Sequence, residues 1–542
     1  MRSFITSKME KKLITFINKL ESKIIPPTIE CNRVTHEANI TGKKELFDKA
    51  AELRVKLAGV YANKKDYVTL KNLIESGQVE DDIIRRQLEV IYLNYKWYQA
   101  DNKMLKALIK AEANLENRYT SYRARIDGNR VADNEIDEIL KNSTDSELLE
   151  KAWLASKEIG NEFVEDIIKI VKMRNDIAID LGYSNFHEMS LKLNEQEPID
   201  ILRLFDKLDE LTKPAFMAQK ETIDSYLAAH YGISRKELKP WHYHDKYFQE
   251  GPEIYKVKFD NYFKGRDILK VCAQYFRNLG LRVDDILSNS DLYEKEGKNQ
   301  HAYCADINHE GDVRILANIK DDTYWMETML HELGHGVYSK YNNMALPYHL
   351  RDAAHSFVTE AIANMFGRFC YHPEWLQTNI CNSEGTKIKN AAKIYKSLVL
   401  KQLVVSRWIQ VMFRFEMKMY EDPDQDLNSL WWRLVEKYQM IKKPGRRNSP
   451  DYAAKIHVAL YPCYYHNYLL GELLASQLHH YIGKEISGSK KPFKEHFTDK
   501  PETGAYLIEK VFKPGKCYRW DNLIEHATGE NLTAKYYSMQ FV

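Results

Sequence analysis

AAKIYKSLVLKQLVVSRWIQVMFRFEMKMY, residues 391–420, repeats apolar residues at intervals of three and four from end to end. That period puts apolar side chains on one face of a helix, and the stretch is far too long for a strand. KELFDKAAELRVKLAGVY (44–61) and SELLEKAWLASKEIGNEFVEDIIKIVKMRNDIAIDLG (146–182) repeat the pattern. Strand-like alternation is scarce. HAYCADINHEGDVRILANI (301–319) offers two short extended runs around the turn-like NHEGD and reads as a hairpin. The expected fold is mainly α, with one small hairpin and no repeat of solenoid period.

The 542 residues are enough for two to four ordinary domains, although helical enzymes of this length often form one body split by a cleft. Lysine and arginine number 79 against 77 acidic residues, so no global field favours nucleic acid or an anionic membrane. MRSFITSKMEKKLITFINKLESK (1–23) carries charges throughout and lacks the apolar core of a signal peptide. No later stretch approaches a membrane span. Cys31, Cys272, Cys304, Cys370, Cys381, Cys463 and Cys517 are scattered and form no CxxC pair, which suits a reducing compartment. A cytoplasmic protein is expected. The basic run Lys442, Lys443, Arg446 and Arg447 lies in a proline- and glycine-containing segment and reads as a solvated loop.

Working outward from the helices, TMLHELGHGVYSK (328–340) places His331 and His335 four residues apart, with Glu332 directly after the first. Residues four apart share a helix face, so both imidazoles can meet one ion while Glu332 stands near a water bound to it. A catalytic zinc takes three protein ligands and keeps one open position. The third is sought in RDAAHSFVTEAIANMFGRF (351–369), where Glu360 shares a face with Phe357, Ala361 and Asn364. A carboxylate in a segment fit for burial needs a compensating partner, which a metal ion supplies. His355 is an alternative ligand or a packed histidine. Asn364 could hold a ligand by a hydrogen bond or serve as a packing amide.

With these residues in place, the chain resembles the zinc metallopeptidases of the angiotensin-converting enzyme family, from about residue 40 to residue 482. Four blocks carry the likeness: NQHAYCADINHEGDVRILANIK (299–320), HELGHGVYSKYN (331–342), VTEAIANMF (358–366) and WWRLVEKYQMIKKPGRRNSPDYAAKIHVALYPCYYHNYLLGELL (431–474). GVY after HELGH and YLLGELLASQL also resemble carboxypeptidase Taq, and the His335-to-Glu360 step suits thimet-type oligopeptidases.

The resemblance implies one catalytic domain over residues 1–542, a helical body of two lobes around a deep groove with the hairpin beside the zinc helix. It implies one zinc ion on His331, His335 and Glu360, with Glu332 as general base. His301 and the backbone of Ala302 would line the substrate track, pairing with an extended peptide as an added strand. His457 and Tyr468 would stabilise the oxyanion, and Lys455, Tyr465 and Gln249 would hold the substrate's C-terminal carboxylate. One inserted residue between His457 and Tyr465 keeps Tyr464 open as an alternative. Asn364 stands where the family has an aspartate, and Asn467 where it has an arginine used in chloride binding. The expected substrates are short peptides shortened from the C-terminus by two residues. Removal of one residue, internal cleavage and a non-catalytic peptide-binding scaffold are the alternatives.

Overall fold

The computed structural model describes residues 8–382 and 385–541. Helices dominate, in line with the period of the sequence. In chain order they begin with α1 (Lys8–Thr41), α2 (Lys44–Tyr61), α3 (Lys64–Ser76), α4 (Asp82–Trp97) and α5 (Asn102–Ser121). A two-stranded sheet, β1 (Ala124–Ile126) and β2 (Asn129–Val131), precedes α6 (Asp133–Asn142), α7 (Ser146–Asp180), α8 (Phe186–Leu193) and α9 (Pro198–Tyr231). Then come α10 (Ile268–Asn278), α11 (Asp284–Ser288), the strands β3 (Tyr303–Asp306) and β4 (Val313–Leu316), α12 (Thr323–Lys340) and α13 (Ser356–Gly367). After the short α14 (Pro373–Leu376) follow α15 (Ala391–Glu421), α16 (Leu427–Tyr438), α17 (Ile456–Leu460) and α18 (His466–Tyr481).

Local sequence explains several boundaries. The Asp322 side chain accepts a hydrogen bond from the Trp325 amide and starts α12, and Asp145 does the same for Glu147 and Leu148 at the start of α7. Gly77 and Gly232 end α3 and α9 in the left-handed conformation. The expected hairpin is present, with Tyr303 opposite Leu316 and Asp306 opposite Val313. The first hairpin was not expected, although its turn residues Asp127 and Gly128 both have positive φ, as an Asp-Gly turn requires.

The chain divides into two compact units, each assembled from separated segments. One comprises the described residues of Met1–Gln99, Lys258–Ala391 and Gly471–Tyr536, and the other those of Ala100–Val257, Ala392–Leu470 and Tyr537–Val542. In the first, Leu13, Ile17, Leu20 and Ile24 of α1 pack with Leu70 of α3 and Leu88, Ile91 and Tyr95 of α4. In the second, Phe205 of α9 meets Phe413 of α15 edge to face, and Gln410 donates to the Phe205 carbonyl. Two ion pairs, Arg407 with Asp209 and Arg414 with Asp206, clamp the same two helices. The basic segment is only partly the solvated loop expected: Arg447 bonds the buried carboxylate of Asp451 through Nε and Nη2 and lies over Trp153.

Candidate active site

The metal-ligand candidates lie on two helices of the first unit that approach unusually closely. A Cβ on Gly334 of α12 would stand 2.6 Å from Ala363 Cα of α13, so only glycine permits this spacing. Across that contact His331, His335 and Glu360 bring one ligand atom each to within 4.8 Å of one another. His331 Nε2 and His335 Nε2 are 3.2 Å apart, and they lie 3.7 and 3.6 Å from the two Glu360 oxygens.

The charges suit a cation. Burial, and then His331, hold the His335 pKa down at about 3, so its imidazole is neutral and able to act as a ligand. Burial, and then Glu472, lift Glu360 to about 7, the mark of a carboxylate lacking a counter-charge. Two imidazoles and one carboxylate converging on a point form a set that fits a metal ion of the zinc type. Glu332 is buried beside them and is pushed up to about 8, by burial first and Glu360 second, against the opposing hydrogen bond from the Cys304 backbone of β3. A cation on the neighbouring ligands would offset both effects and favour the ionised form of Glu332, which is the form that accepts a proton.

Two residues that the sequence left open take defined places. His355 caps α13, its Nδ1 accepting from the Phe357 amide at 3.2 Å, and does not join the metal-ligand group. Among the described residues no hydrogen bond ties Asn364 to a ligand; its amide lies near Gly471, where an added Cβ would stand 3.1 Å from Glu360 Cγ and 3.5 Å from Asn364 Nδ2. The hydrogen bond that orients a ligand comes from Thr359, whose Oγ1 is 2.8 Å from His335 Nδ1. Helical periodicity carried no sign of that role, because Thr359 is marked only by its place beside Glu360. Arg368, also missed, bonds Glu472 and Ser476 and so anchors the carboxylate that raises Glu360. His301 is exposed just before β3, with its amide donating to Asn299, and Ala302 follows it.

The second unit gathers the proposed carboxylate grip. Lys455 Nζ donates to Gln249 Oε1 at 2.7 Å and stands 5.4 Å from the ring centres of Tyr247 and Trp408 and 5.8 Å from that of Tyr465. Burial lowers its pKa to about 8, with Asp245 opposing. The Trp408 indole donates to the Tyr465 hydroxyl at 2.8 Å, leaving the phenol proton for another acceptor. His457 lies 5.0 Å, ring to ring, from Tyr465, and Tyr468 lies 5.4 Å from it. Tyr465, not the exposed Tyr464, thus shares the neighbourhood of Lys455. Burial, then Lys455, hold His457 neutral with a pKa of about 4. Asn467 accepts from Gln196, whose carbonyl faces His466 Nε2, so an amide–imidazole network occupies the position where the resemblance has an arginine.

Comparison with known proteins follows the same lines. The family model described as angiotensin-converting enzyme matches residues 7–238 and 251–540, reaching further toward the N-terminus than the quoted blocks. The angiotensin-converting enzyme of Theromyzon tessulatum is 25% identical over 284 residues, 49% of this chain and 45% of that protein. The angiotensin-converting enzyme-related protein of Drosophila melanogaster is 22% identical over 537 residues, 91% of this chain and 82% of its own. A Caenorhabditis elegans relative named as an inactive angiotensin-converting enzyme-related protein is 22% identical over 367 residues, 60% of this chain and 40% of its own. The chain spans less than half the length of the leech protein and only 21–31% of the mammalian enzymes it matches. With the family match covering nearly all of the sequence, the chain belongs to the angiotensin-converting enzyme family of peptidases.

Proposed function

We propose that the protein is a zinc-dependent peptidase that releases dipeptides from the C-terminus of short peptides. The observation that carries this reading is the meeting of His331, His335 and Glu360 beside the buried, basic carboxylate of Glu332. A zinc ion held by these three supplies Lewis acidity and lowers the pKa of water from 15.7 to roughly 7. Glu332 takes the proton from the attacking water and returns it to the leaving amine. The Thr359 hydroxyl accepts the Nδ1 proton of His335 and leaves Nε2 as the ligand atom. His457 and Tyr468 are assigned to the developing oxyanion on the family resemblance, as are His301 and Ala302 to the peptide track.

Cleavage counted from the C-terminus rests on the carboxylate grip assigned to Lys455, Tyr465 and Gln249, and the two-residue step rests on the family resemblance. The arrangement of Lys455 among Gln249, Tyr247, Trp408 and Tyr465 supports it. A cationic amine and a phenol whose oxygen already accepts from Trp408 are both aimed at an anion. The cytoplasmic assignment is also a proposal, supported by seven cysteines that are all free and mostly buried.

The test is mass spectrometry of products from a free-ended peptide and its C-terminally amidated twin. Stepwise loss of two residues from the free acid alone supports the reading. Loss of single residues makes the protein a carboxypeptidase, equal internal cleavage of both makes it an oligoendopeptidase, and no cleavage by the zinc-loaded protein makes it a binding scaffold.

A further inference from the structure

The first unit contains a cavity of about 400 Å³, within the range of about 300–1,000 Å³ that holds small molecules. Its apolar wall is one face of α1, formed by Ile14, Ile17, Ile25 and Ile29. Opposite stand the turn of the β3–β4 hairpin, at Asn308 and Glu310, and the segment after α12, at Tyr348 and Arg351. None of these residues belongs to the metal-ligand group.

Two charged groups in this wall have unused capacity. Among the described residues the Glu21 carboxylate makes no hydrogen bond; its nearest basic atom is His349 Nε2 at 4.0 Å. Burial holds His349 neutral, with a pKa of about 4, and its Nε2 has no hydrogen-bond partner, so it does not neutralise Glu21. Arg351 donates through Nε to the Leu346 carbonyl and through Nη1 to Glu310 at 2.7 Å. Its Nη2 has no acceptor among the described residues. Glu21 and Arg351 line the same cavity, so both charges face one ligand volume.

An anion, a cation and an aliphatic wall define a ligand by complementarity. An ammonium suits Glu21, a carboxylate suits Arg351 Nη2, and a branched side chain suits the isoleucines. We propose that this cavity is a binding site for a small aliphatic zwitterion, the chemistry shared by a branched-chain amino acid and an aliphatic dipeptide. The inference rests on the cavity lining and stands whether or not the chain cleaves peptides. An occupant would touch α1, the hairpin turn and the segment after α12 at once, linking α1 to both ends of the sequence that frames the metal-ligand helix.

The test uses the full chain carrying Glu332→Gln, so that no ligand is consumed, and hydrogen exchange resolved to residues 14–29, 308–310 and 347–351. Leucine and leucyl-leucine are titrated to about 10 mM, with isocaproate and isopentylamine as single-charge controls. Saturable protection of these segments by leucine or leucyl-leucine supports the site, and the tighter of the two identifies the source of the ligand. Adding Glu21→Gln should weaken that protection roughly tenfold or more, the expected loss of a charge-assisted hydrogen bond. This substitution removes a charge that burial disfavours, so the fold is retained, and an unchanged melting profile checks that. No protection by either zwitterion, equal protection by a control, or indifference to Glu21→Gln overturns the proposal. Failure of peptide hydrolysis leaves this readout unchanged, so the two readings fail separately.

Discussion

Thr359 Oγ1 lies 2.8 Å from His335 Nδ1, joining α13 to α12 one residue from Glu360. The imidazole tautomer that can ligate through Nε2 carries its proton on Nδ1, and a hydroxyl at that distance is able to accept it. Thr359→Val keeps the shape and removes the bond. Metal affinity, measured by competition with a chromophoric chelator, should fall about 10–100-fold while the circular dichroism spectrum holds. Unchanged affinity would show that the ring is positioned by packing alone.

Gly334 sets the spacing on which that bond depends. A methyl group there meets Ala363 Cα at 2.6 Å, main chain against main chain, with no flexible tip to move aside. Gly334→Ala should therefore destabilise the protein by about 1–3 kcal/mol despite the better helix propensity of alanine. It should also lower bound metal per chain, because the helices carrying His335 and Glu360 are pushed apart. Calorimetry and metal analysis of the same preparation check both effects. A melt at or above that of the parent protein would mean that α12 and α13 separate without strain.

The helices and the candidate histidine ligands were legible in the sequence for one reason: both depend on spacing along a single element. A period of three to four residues marks a buried face, and His331 and His335 share theirs by the same geometry. Glu360 was reachable because a carboxylate in an apolar helix demands a partner. The hydroxyl of Thr359, the Cys304 amide that holds Glu332 and the Arg368–Glu472 pair escaped because their roles arise from contacts between elements distant in sequence. Spacing left Asn364 and His355 each with two readings; the structure makes His355 a helix cap and brings Thr359 to His335, contacts that spacing along one element does not show. The β1–β2 hairpin is different: its Asp-Gly turn was visible, but its strands of three residues each are too short to show alternation.

Glu332 is the group to which the proposed mechanism assigns the proton transfer. Glu332→Gln keeps the side chain's size and its contact with the Cys304 amide while removing the proton acceptor. Hydrolysis should fall by at least about 10²–10⁴-fold with metal content unchanged, since His331, His335 and Glu360 are untouched. Product release by mass spectrometry and metal by atomic emission provide the two measurements. Turnover near the parent rate in the metal-loaded variant would remove Glu332 from the mechanism.

Lys455 gives the carboxylate grip a pH signature. Burial brings its pKa down from 10.5 to about 8, so the ammonium is present below that pH and lost as pH rises through it. For a free-acid peptide, kcat/KM reports the free enzyme and should decline above about pH 8, mainly through a rise in KM. An amidated peptide has no carboxylate to hold, so whatever cleavage it undergoes should not share this limb. Lys455→Met removes the charge while keeping an apolar stem among Tyr247, Trp408 and Tyr465, and should flatten the alkaline limb for the free acid. Rates for both peptides measured from pH 6 to pH 10 decide the matter. A limb that survives in Lys455→Met, or that is equal for the two peptides, assigns the titration to another group and leaves the carboxylate grip without its cation.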